Sequence, residues 1–446
     1  MASISGLGGF GNGSRLAARC APVPWWRVQV IRLSVHEYQS HAILKEFDLP
    51  VPRAKLARSP AEAAQIVKDL GGSGTNPQNT PTSKLTSQGG KCALKPQILQ
   101  GGWAEGVFDS GASVQIVDGP RAAEDTAARM LGRHLETGPR VEQLFVAEAV
   151  EHDDAWYLAM RFDREQCCPV IVASRRGGVD VTKEQLHTVP FSITHGITPE
   201  VIQQVSDHLQ ASSSDTENLG SILDGLHRVF TAKDATLIEI NPLARSPSGS
   251  LTCLDTHLTI DDAASRKQKD LFSQRDLSSE VPEEVEAERH GLAYVKMPGA
   301  GDVGCVVNGA GLAMATNDAV ALHGGSSANF LDGGGQATRE TMVKAFEIVL
   351  RDERVRAVLV NIYGGITRGD MVAEAIIGAA EELGPLKVPM VVRLQGTNSE
   401  LGLKMLEEAD LGLHTEADFG RAAQKAVELA RASRSMDAHS SVSIRV

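Results

Sequence analysis

Aromatic residues make up only 4% of this 446-residue chain, against 42% hydrophobic residues overall. An Ala/Val/Leu-rich interior of that kind suits an α/β enzyme better than a β-sandwich. Cysteine is equally sparse. The six cysteines (Cys20, Cys92, Cys167, Cys168, Cys253, Cys305) are scattered and none forms a CxxC pair, which argues against a zinc site or a disulfide framework and for a reduced interior. No apolar run approaches the roughly 20 residues that span a bilayer. A GxxxxGK[ST] run is absent, so a P-loop fold has no support. Basic excess is lacking too: the net charge is −12 and the pI about 5.6. That balance excludes nonspecific nucleic-acid binding while leaving room for a local basic site for an anionic nucleotide.

The opening segment lacks acids altogether. Before Glu37 there are Arg15, Arg19, Arg27 and Arg32 among Ser, Gly and Ala, a mitochondrial transit-peptide composition with removal near Arg32–Ser34. The length allows two or three domains with sizeable cores. One familiar pattern is misplaced: Gly299–Gly304 satisfies GxGxxG but precedes the strand at Cys305–Asn308 instead of following one, so NAD binding is rejected.

Two segments carry most of the information. One reads GCVVNGAGLAMATND followed by GGSSANFLDGGGQAT over residues 304–338, and the other reads RAVLVNIYGGITRGDMVAEAII from Arg356. In each, a short apolar strand runs into a glycine-rich turn and then a helical pattern. That order sets backbone N–H groups at helix N-termini, where they suit an anion. Val358–Ile362 predicts a strand, Gly364-Gly365 a turn, and Thr367–Ala380 a helix, with Gly333-Gly334-Gly335 opening another. These words resemble the CoA-ligase domain of succinyl-CoA synthetase (succinate–CoA ligase) β subunits, of mitochondrial eukaryotic type.

The N-terminal half extends the resemblance. Ser34 onward reads SVHEYQSHAILKEFDLPVP, with a helix expected over His36–Phe47, a strand after Pro52, and a helix capped by Ser59-Pro60. It is similar to the start of the ATP-grasp half of the same β subunits. Residues 71–91, rich in Gly, Ser, Thr, Asn and Pro, read as a flexible insertion. The strand Cys92–Leu99 holds Lys95, which the resemblance places near the nucleotide phosphates, as it does Gly102. The family turn Gly-Gly-Arg-Gly-Lys-Gly is here Gly101-Gly102-Trp103-Ala104-Glu105-Gly106. A carboxylate replaces a cation, so charge-assisted bonds to triphosphate are lost at that edge. Glu148 matches the hinge carboxylate near ribose and base, while the next family glutamate aligns with Ala155.

Glu239-Ile240-Asn241-Pro242 and Cys253-Leu254-Asp255 form the strongest metal constellation. Two antiparallel strands, Ala235–Ile240 and Leu251–Leu254, would bring Asn241 and Asp255 together, and a few oxygen ligands suit Mg²⁺ rather than zinc. The resemblance makes Asn241 and Asp255 metal ligands and Glu239 the catalytic carboxylate that meets the phosphorylated histidine. His257 stands where the family has lysine. Further on, it gives Asn308, Gly365, Ile366 and Thr367 contact with the acid substrate and phosphate.

The implied architecture is α/β: an ATP-grasp nucleotide-binding domain over 34–270, a linker over 271–294, a flavodoxin-like (Rossmann-type) CoA-ligase domain over 295–432, and a disordered tail over 433–446. The implied partner is an α subunit, as a heterodimer or a dimer of heterodimers, that brings CoA and the histidine; no nucleic acid or membrane is involved. In the implied reaction, acid plus phosphate gives an acyl phosphate, CoA displaces it, and phosphate moves through that histidine to ADP or GDP, in the tricarboxylic acid cycle of the mitochondrial matrix. Two alternatives stay open: a β subunit of a related ligase such as one for malate, and a nucleotide-impaired β subunit that stabilises its partner without catalysis.

Overall fold

The computed structural model describes residues 33–71, 87–99, 114–133, 140–178, 181–334, 338–384 and 387–442. By its internal contacts the chain divides between Glu280 and Val281.

The N-terminal unit contains β1 (Leu33–Val35), α1 (Glu37–Glu46), β2 (Ala54–Ala57), α2 (Pro60–Gly71), β3 (Ser87–Pro96), β4 (Gln115–Asp118), α3 (Pro120–Met130), β5 (Leu144–Val150) and β6 (Asp154–Asp163). It continues through β7 (Cys168–Ser174), β8 (His187–Pro190), α4 (Pro199–Leu209), α5 (Ser213–Ala232), β9 (Ala235–Arg245), β10 (Leu251–Cys253), β11 (Thr256–Ile260) and α6 (Lys269–Phe272). Four strands make a small antiparallel sheet in the order β2-β5-β3-β4. The larger sheet runs β1-β11-β9-β6-β7-β8, with β10 paired to the far end of β9. Residues 151–153 carry the chain from the small sheet to the large one.

Alternation along the strands decides which face is covered. Leu158, Met160, Ile171, Ile238 and Ile240 lie in one core with Leu219, Leu223, Leu226 and Phe230 of α5. Their alternating neighbours Tyr157, Glu239, Asn241 and His257 lie on the other side of the sheet, away from that core. Helices α2 and α3 cover the small sheet through Ala63, Ile66, Val67, Ala123, Ala127 and Met130. At α5, Ser212 Oγ accepts the Asp215 N–H at 3.2 Å while the Asp215 carboxylate accepts the Ser212 N–H at 3.1 Å, a reciprocal cap.

The C-terminal unit contains α7 (Pro282–Arg289), β12 (Ala293–Lys296), β13 (Val303–Val307), α8 (Ala310–Leu322), β14 (Asn329–Asp332) and α9 (Arg339–Arg351). After these come β15 (Ala357–Gly364), α10 (Gly369–Leu383), β16 (Met390–Gly396), α11 (Ser399–Glu408), β17 (His414–Thr415) and α12 (Phe419–Val442). Strands β14-β13-β15-β16-β17 are parallel, and β12 closes one edge antiparallel to β14. Strands such as Val303–Val307 are buried throughout, as a sheet covered on both faces requires. Helices α9 and α10 pack on one face with Phe346 at the centre, and α8 and α12 pack on the other.

Several sequence expectations shift at their edges. Leu33, inside the segment expected to be removed, pairs with Ile260 in the large sheet; residues 1–32 lie outside the described residues. The insertion narrows, because Gly71 closes α2 and Ser87–Lys91 belong to β3. The segment 271–294 is not a bare linker: it holds α7, which buries Val285 and Ala287, and the start of β12. The tail is helical to Val442, and Arg434 of α12 pairs with the buried Asp302 at 2.7 Å. The Gly299–Gly304 run leads into β13, whose first two residues are Val303 and Gly304. Among the described residues no helix is long and apolar enough to cross a membrane.

Phe346 is 1% exposed and packs in the core shared by β13, β15 and β16. Phe346→Ala should destabilise this unit by about 3–5 kcal/mol, speeding amide exchange in peptides from β13 and β15. Unchanged exchange in those peptides would contradict the packing described.

Candidate functional site

Each unit gathers its own polar cluster. In the N-terminal unit, the first turn of α1 is closed by the Gln39 side chain, which accepts the His36 N–H at 2.8 Å, and this sets Glu37 at the first helical position. Lys95 reaches the same point from the end of β3. Its ammonium donates to Glu37 Oε1 at 2.7 Å, to the Leu254 carbonyl at 3.0 Å and to Asp255 Oδ1 at 2.6 Å. The Lys95 side chain is 7% exposed and that of Glu37 1%. His41, one turn after Glu37, stands 3.6 Å from it.

Burial and the two carboxylates oppose each other at Lys95. Burial alone would lower its pKa, but the charges of Glu37 and Asp255 prevail and raise it, so the ammonium stays protonated. Glu37 is pushed well up, by burial first and with Lys95 acting against it. For Asp255 burial also works upward, yet the Lys95 charge and hydrogen bonds win and hold it below the usual carboxylate range. His41 is lowered to about 4, by burial and then by the Lys95 charge, and so is neutral near pH 7.

Asn241 lies beside this group. Pro242 has no N–H to give, and the pairing of β6 with β9 shifts register at that point, between Trp156 and Leu158. The Asn241 N–H donates to the Asp255 carbonyl at 3.0 Å, so the two expected metal ligands are brought together through the backbone. Their side chains face different partners: Asn241 Oδ1 accepts the Gly178 N–H at 2.5 Å, and Asp255 Oδ1 takes Lys95. Gly177 must lack a side chain here, since a Cβ would lie 2.8 Å from the Trp156 carbonyl and 3.1 Å from Asn241 Oδ1. Among the described residues no group of three or more His, Cys, Asp or Glu is gathered for a metal ion. A carboxamide and an ionised carboxylate are nonetheless hard oxygen donors, and they fit Mg²⁺, which takes few protein ligands and completes its shell with water and phosphate.

Glu239 sits on the same strand two residues earlier, opposite His257 of β11, with burial raising its pKa. Burial likewise lowers that of His257. Glu148 is elsewhere, on β5. Arg53 grips it with two bonds of 3.0 Å, and the Glu148 N–H donates to the Arg53 carbonyl at 2.9 Å. Gly102, with Trp103 and Glu105, lies outside the described residues.

In the C-terminal unit the parallel order β14-β13-β15-β16-β17 reverses direction between β13 and β15. Chain connections leave that point on opposite faces, so a crevice opens at the carboxyl ends of those strands. Asn308 follows β13, and Gly365, Ile366 and Thr367 follow β15. Asn308 Nδ2 donates to the Tyr363 carbonyl at 3.0 Å and Asn308 Oδ1 accepts the Tyr363 N–H at 2.9 Å, which ties the two strand ends together. Gly365 faces open space, Ile366 is 73% exposed and Thr367 is buried.

The helix does not begin at Thr367 as expected. α10 starts at Gly369, whose N–H donates to the Thr397 carbonyl at 2.8 Å, so the segment Gly365–Thr367 is a loop entering the helix. Similarly, Gly333-Gly334 ends β14 and does not open α9, which starts at Arg339 behind the Thr338 cap; Gly335 lies outside the described residues.

Glu37, the Leu254 carbonyl, Arg53 and Tyr363 were not singled out by the sequence. Glu37 stood within HEYQ as a helix-start acid, and its pairing with Lys95 spans 58 positions, a separation that no local pattern signals.

The family model for an ATP-grasp domain matches residues 34–245, and that for a CoA-ligase matches residues 306–435. The chain is 38% identical to the mitochondrial succinate–CoA ligase [ADP-forming] subunit beta of Oryza sativa subsp. japonica, covering 94% of this chain and 98% of that one. It is 35% identical to the mitochondrial [GDP-forming] subunit beta of Dictyostelium discoideum, over 90% and 94%. Among solved structures, ATP citrate lyase from Methanothrix soehngenii, in complex with citrate and coenzyme A, aligns with a TM-score of 0.62 at 19% identity, covering 89% of this chain and 100% of that one, a likeness of fold.

The Arg53 side chain of the Glu148 pair is 50% exposed. Glu148→Ala should therefore change the unfolding free energy by less than about 1 kcal/mol. Chemical denaturation would check this, and a larger loss would mean that the pair holds the sheet together.

Proposed function

Since the chain belongs to the succinate–CoA ligase β-subunit family, we propose that its two polar clusters divide one reaction between them, nucleotide at the N-terminal unit and acid with phosphate at the C-terminal unit. The activity of this family is an acid–thiol ligation, and its members work as β subunits; the CoA and the phosphorylated histidine belong to an α partner, in a heterodimer or a dimer of heterodimers. The mitochondrial relatives and the arginine-rich, acid-free opening favour a mitochondrial protein, and within it the matrix.

Lys95 is the cation for the nucleotide phosphates, Glu148 the acceptor near ribose and base, and Gly102 part of the phosphate loop. Asn241 and Asp255 hold Mg²⁺, which when bound offsets the charge of the phosphates. Glu239, on the polar side of the same sheet, meets the phosphohistidine. At the other cluster, Asn308 and the backbone of Gly365, Ile366 and Thr367 hold the carboxylate and phosphate oxygens. The observation that supports this reading most is that Asn308, through its two bonds to the Tyr363 backbone, and the open loop at Gly365 meet at the reversal of the parallel sheet, the place where open α/β sheets take ligands.

A second reading, a subunit that stabilises its partner without using nucleotide, is favoured by the replacement of two loop cations by Trp103 and Glu105 and by Ala155 on β6.

Co-expression with a matching α subunit tests both. Turnover dependent on succinate, CoA and ADP or GDP is expected, and faster than with malate; no turnover with any nucleotide would leave the second reading. Asn308→Ala, which unties the Tyr363 strand end, should raise the succinate KM by about tenfold or more through misplacement of the neighbouring loop, with the nucleotide KM unchanged. Replacing both Asn241 and Asp255 by alanine should abolish Mg²⁺-dependent nucleotide binding with the melting temperature retained; unchanged Mg²⁺ dependence would remove that assignment.

A further inference from the structure

Lys95 has no donor to spare. An ammonium carries three N–H groups, and all three are engaged, by Glu37, by the Leu254 carbonyl and by Asp255. A phosphate can be gripped only if one of these acceptors lets go. The Leu254 carbonyl is main chain, held where the Leu254 N–H donates to the Pro242 carbonyl at 3.2 Å. Glu37 is sealed in, with a side chain 1% exposed, and releasing Lys95 would take from it the one full positive charge at 2.7 Å, leaving neutral partners such as the Gln97 amide at 3.5 Å. Asp255 is the most accessible acceptor, with a side chain 17% exposed, and it is the one that the reading above also makes a metal ligand.

We propose that Lys95 is an internal cation that occupies Asp255 in the unliganded chain and is exchanged there for the divalent ion when nucleotide binds, with Glu37 the positioning residue that keeps the ammonium in place. The inference rests on the metal and nucleotide roles proposed above. No bond is made or broken covalently. Asp255 passes from one cation to another, and the N–H that it releases is taken by a phosphate oxygen. Each half of the exchange is unfavourable alone. A divalent ion without phosphate leaves Lys95 one acceptor short in a buried place, and a phosphate without the ion meets the bare Asp255 carboxylate. Metal and nucleotide therefore enter together, and Glu37 stops the freed ammonium from following Asp255.

The test uses the full chain without nucleotide and Mn²⁺ alone as the probe, with free Mn²⁺ read by paramagnetic resonance. Wild type should bind Mn²⁺ weakly. Lys95→Met should bind it at least tenfold more tightly, because Asp255 is vacated, and Lys95→Met with Asp255→Asn should lose that gain. A purely structural role for Lys95 does not predict tighter metal binding on its removal. Equal Mn²⁺ affinity in wild type and Lys95→Met, or no binding by either, overturns the exchange.

The second arm titrates Mg²⁺ with ADP and with GDP by calorimetry. Glu37→Ala should weaken nucleotide binding at least tenfold, while Glu37→Gln, which keeps an oxygen acceptor, should recover most of the affinity. Equal affinities in wild type and both variants overturn the role of Glu37. If wild type binds neither nucleotide, the nucleotide reading fails on its own, and the Mn²⁺ comparison still decides whether Lys95 and a metal compete for Asp255.

Discussion

A charge taken out of water must find its compensation inside the protein, and the buried ammonium of Lys95 finds it in three acceptors from two distant stretches of the chain. Glu37 comes from the first turn of α1, Lys95 from the end of β3 in the small sheet, and Leu254 and Asp255 from the junction of β10 with β11 in the large one. The two sheets of the N-terminal unit thus share one electrostatic joint. The backbone near this joint is closely packed: Gly177 approaches the Trp156 carbonyl, the pairing of β6 with β9 slips near Pro242, and the Asn241 N–H donates to the Asp255 carbonyl.

The C-terminal unit joins its strand ends through neutral groups. The reversal in strand order opens a crevice, and the strand ends beside it are held by neutral contacts, the two bonds between Asn308 and the Tyr363 backbone among them. Gly364 and Gly396 pair at the ends of β15 and β16, and a side chain on Gly396 would drive into the Gly364 carbonyl. Close approach there carries the loop Gly365–Thr367 to the mouth of the crevice.

Much of this was legible in the residues. Short apolar runs located the central strands at Cys305–Asn308 and Val358–Ile362, and helical spacing located α10, because each run is followed by a turn rich in glycine. The juxtaposition of Asn241 with Asp255 followed from one hairpin. Boundaries were less legible where tertiary contact decides them. The start of α10 depends on a bond from Gly369 to Thr397, and the persistence of α12 past Ser433 on helix propensity and on Arg434 reaching Asp302. Glu37 was hidden for the same reason. An acid in a helical first turn is ordinary in sequence, and only the fold sets a lysine against it.

The rim of the parallel sheet has a consequence for how the chain behaves among copies of itself. At one side lies β12, four residues long and reversed in direction; at the other lies β17, of two residues only. A long row of unpaired peptide groups is what recruits a further strand from a neighbouring molecule. Here both margins are short, so the sheet offers a neighbouring molecule little edge along which to add a strand.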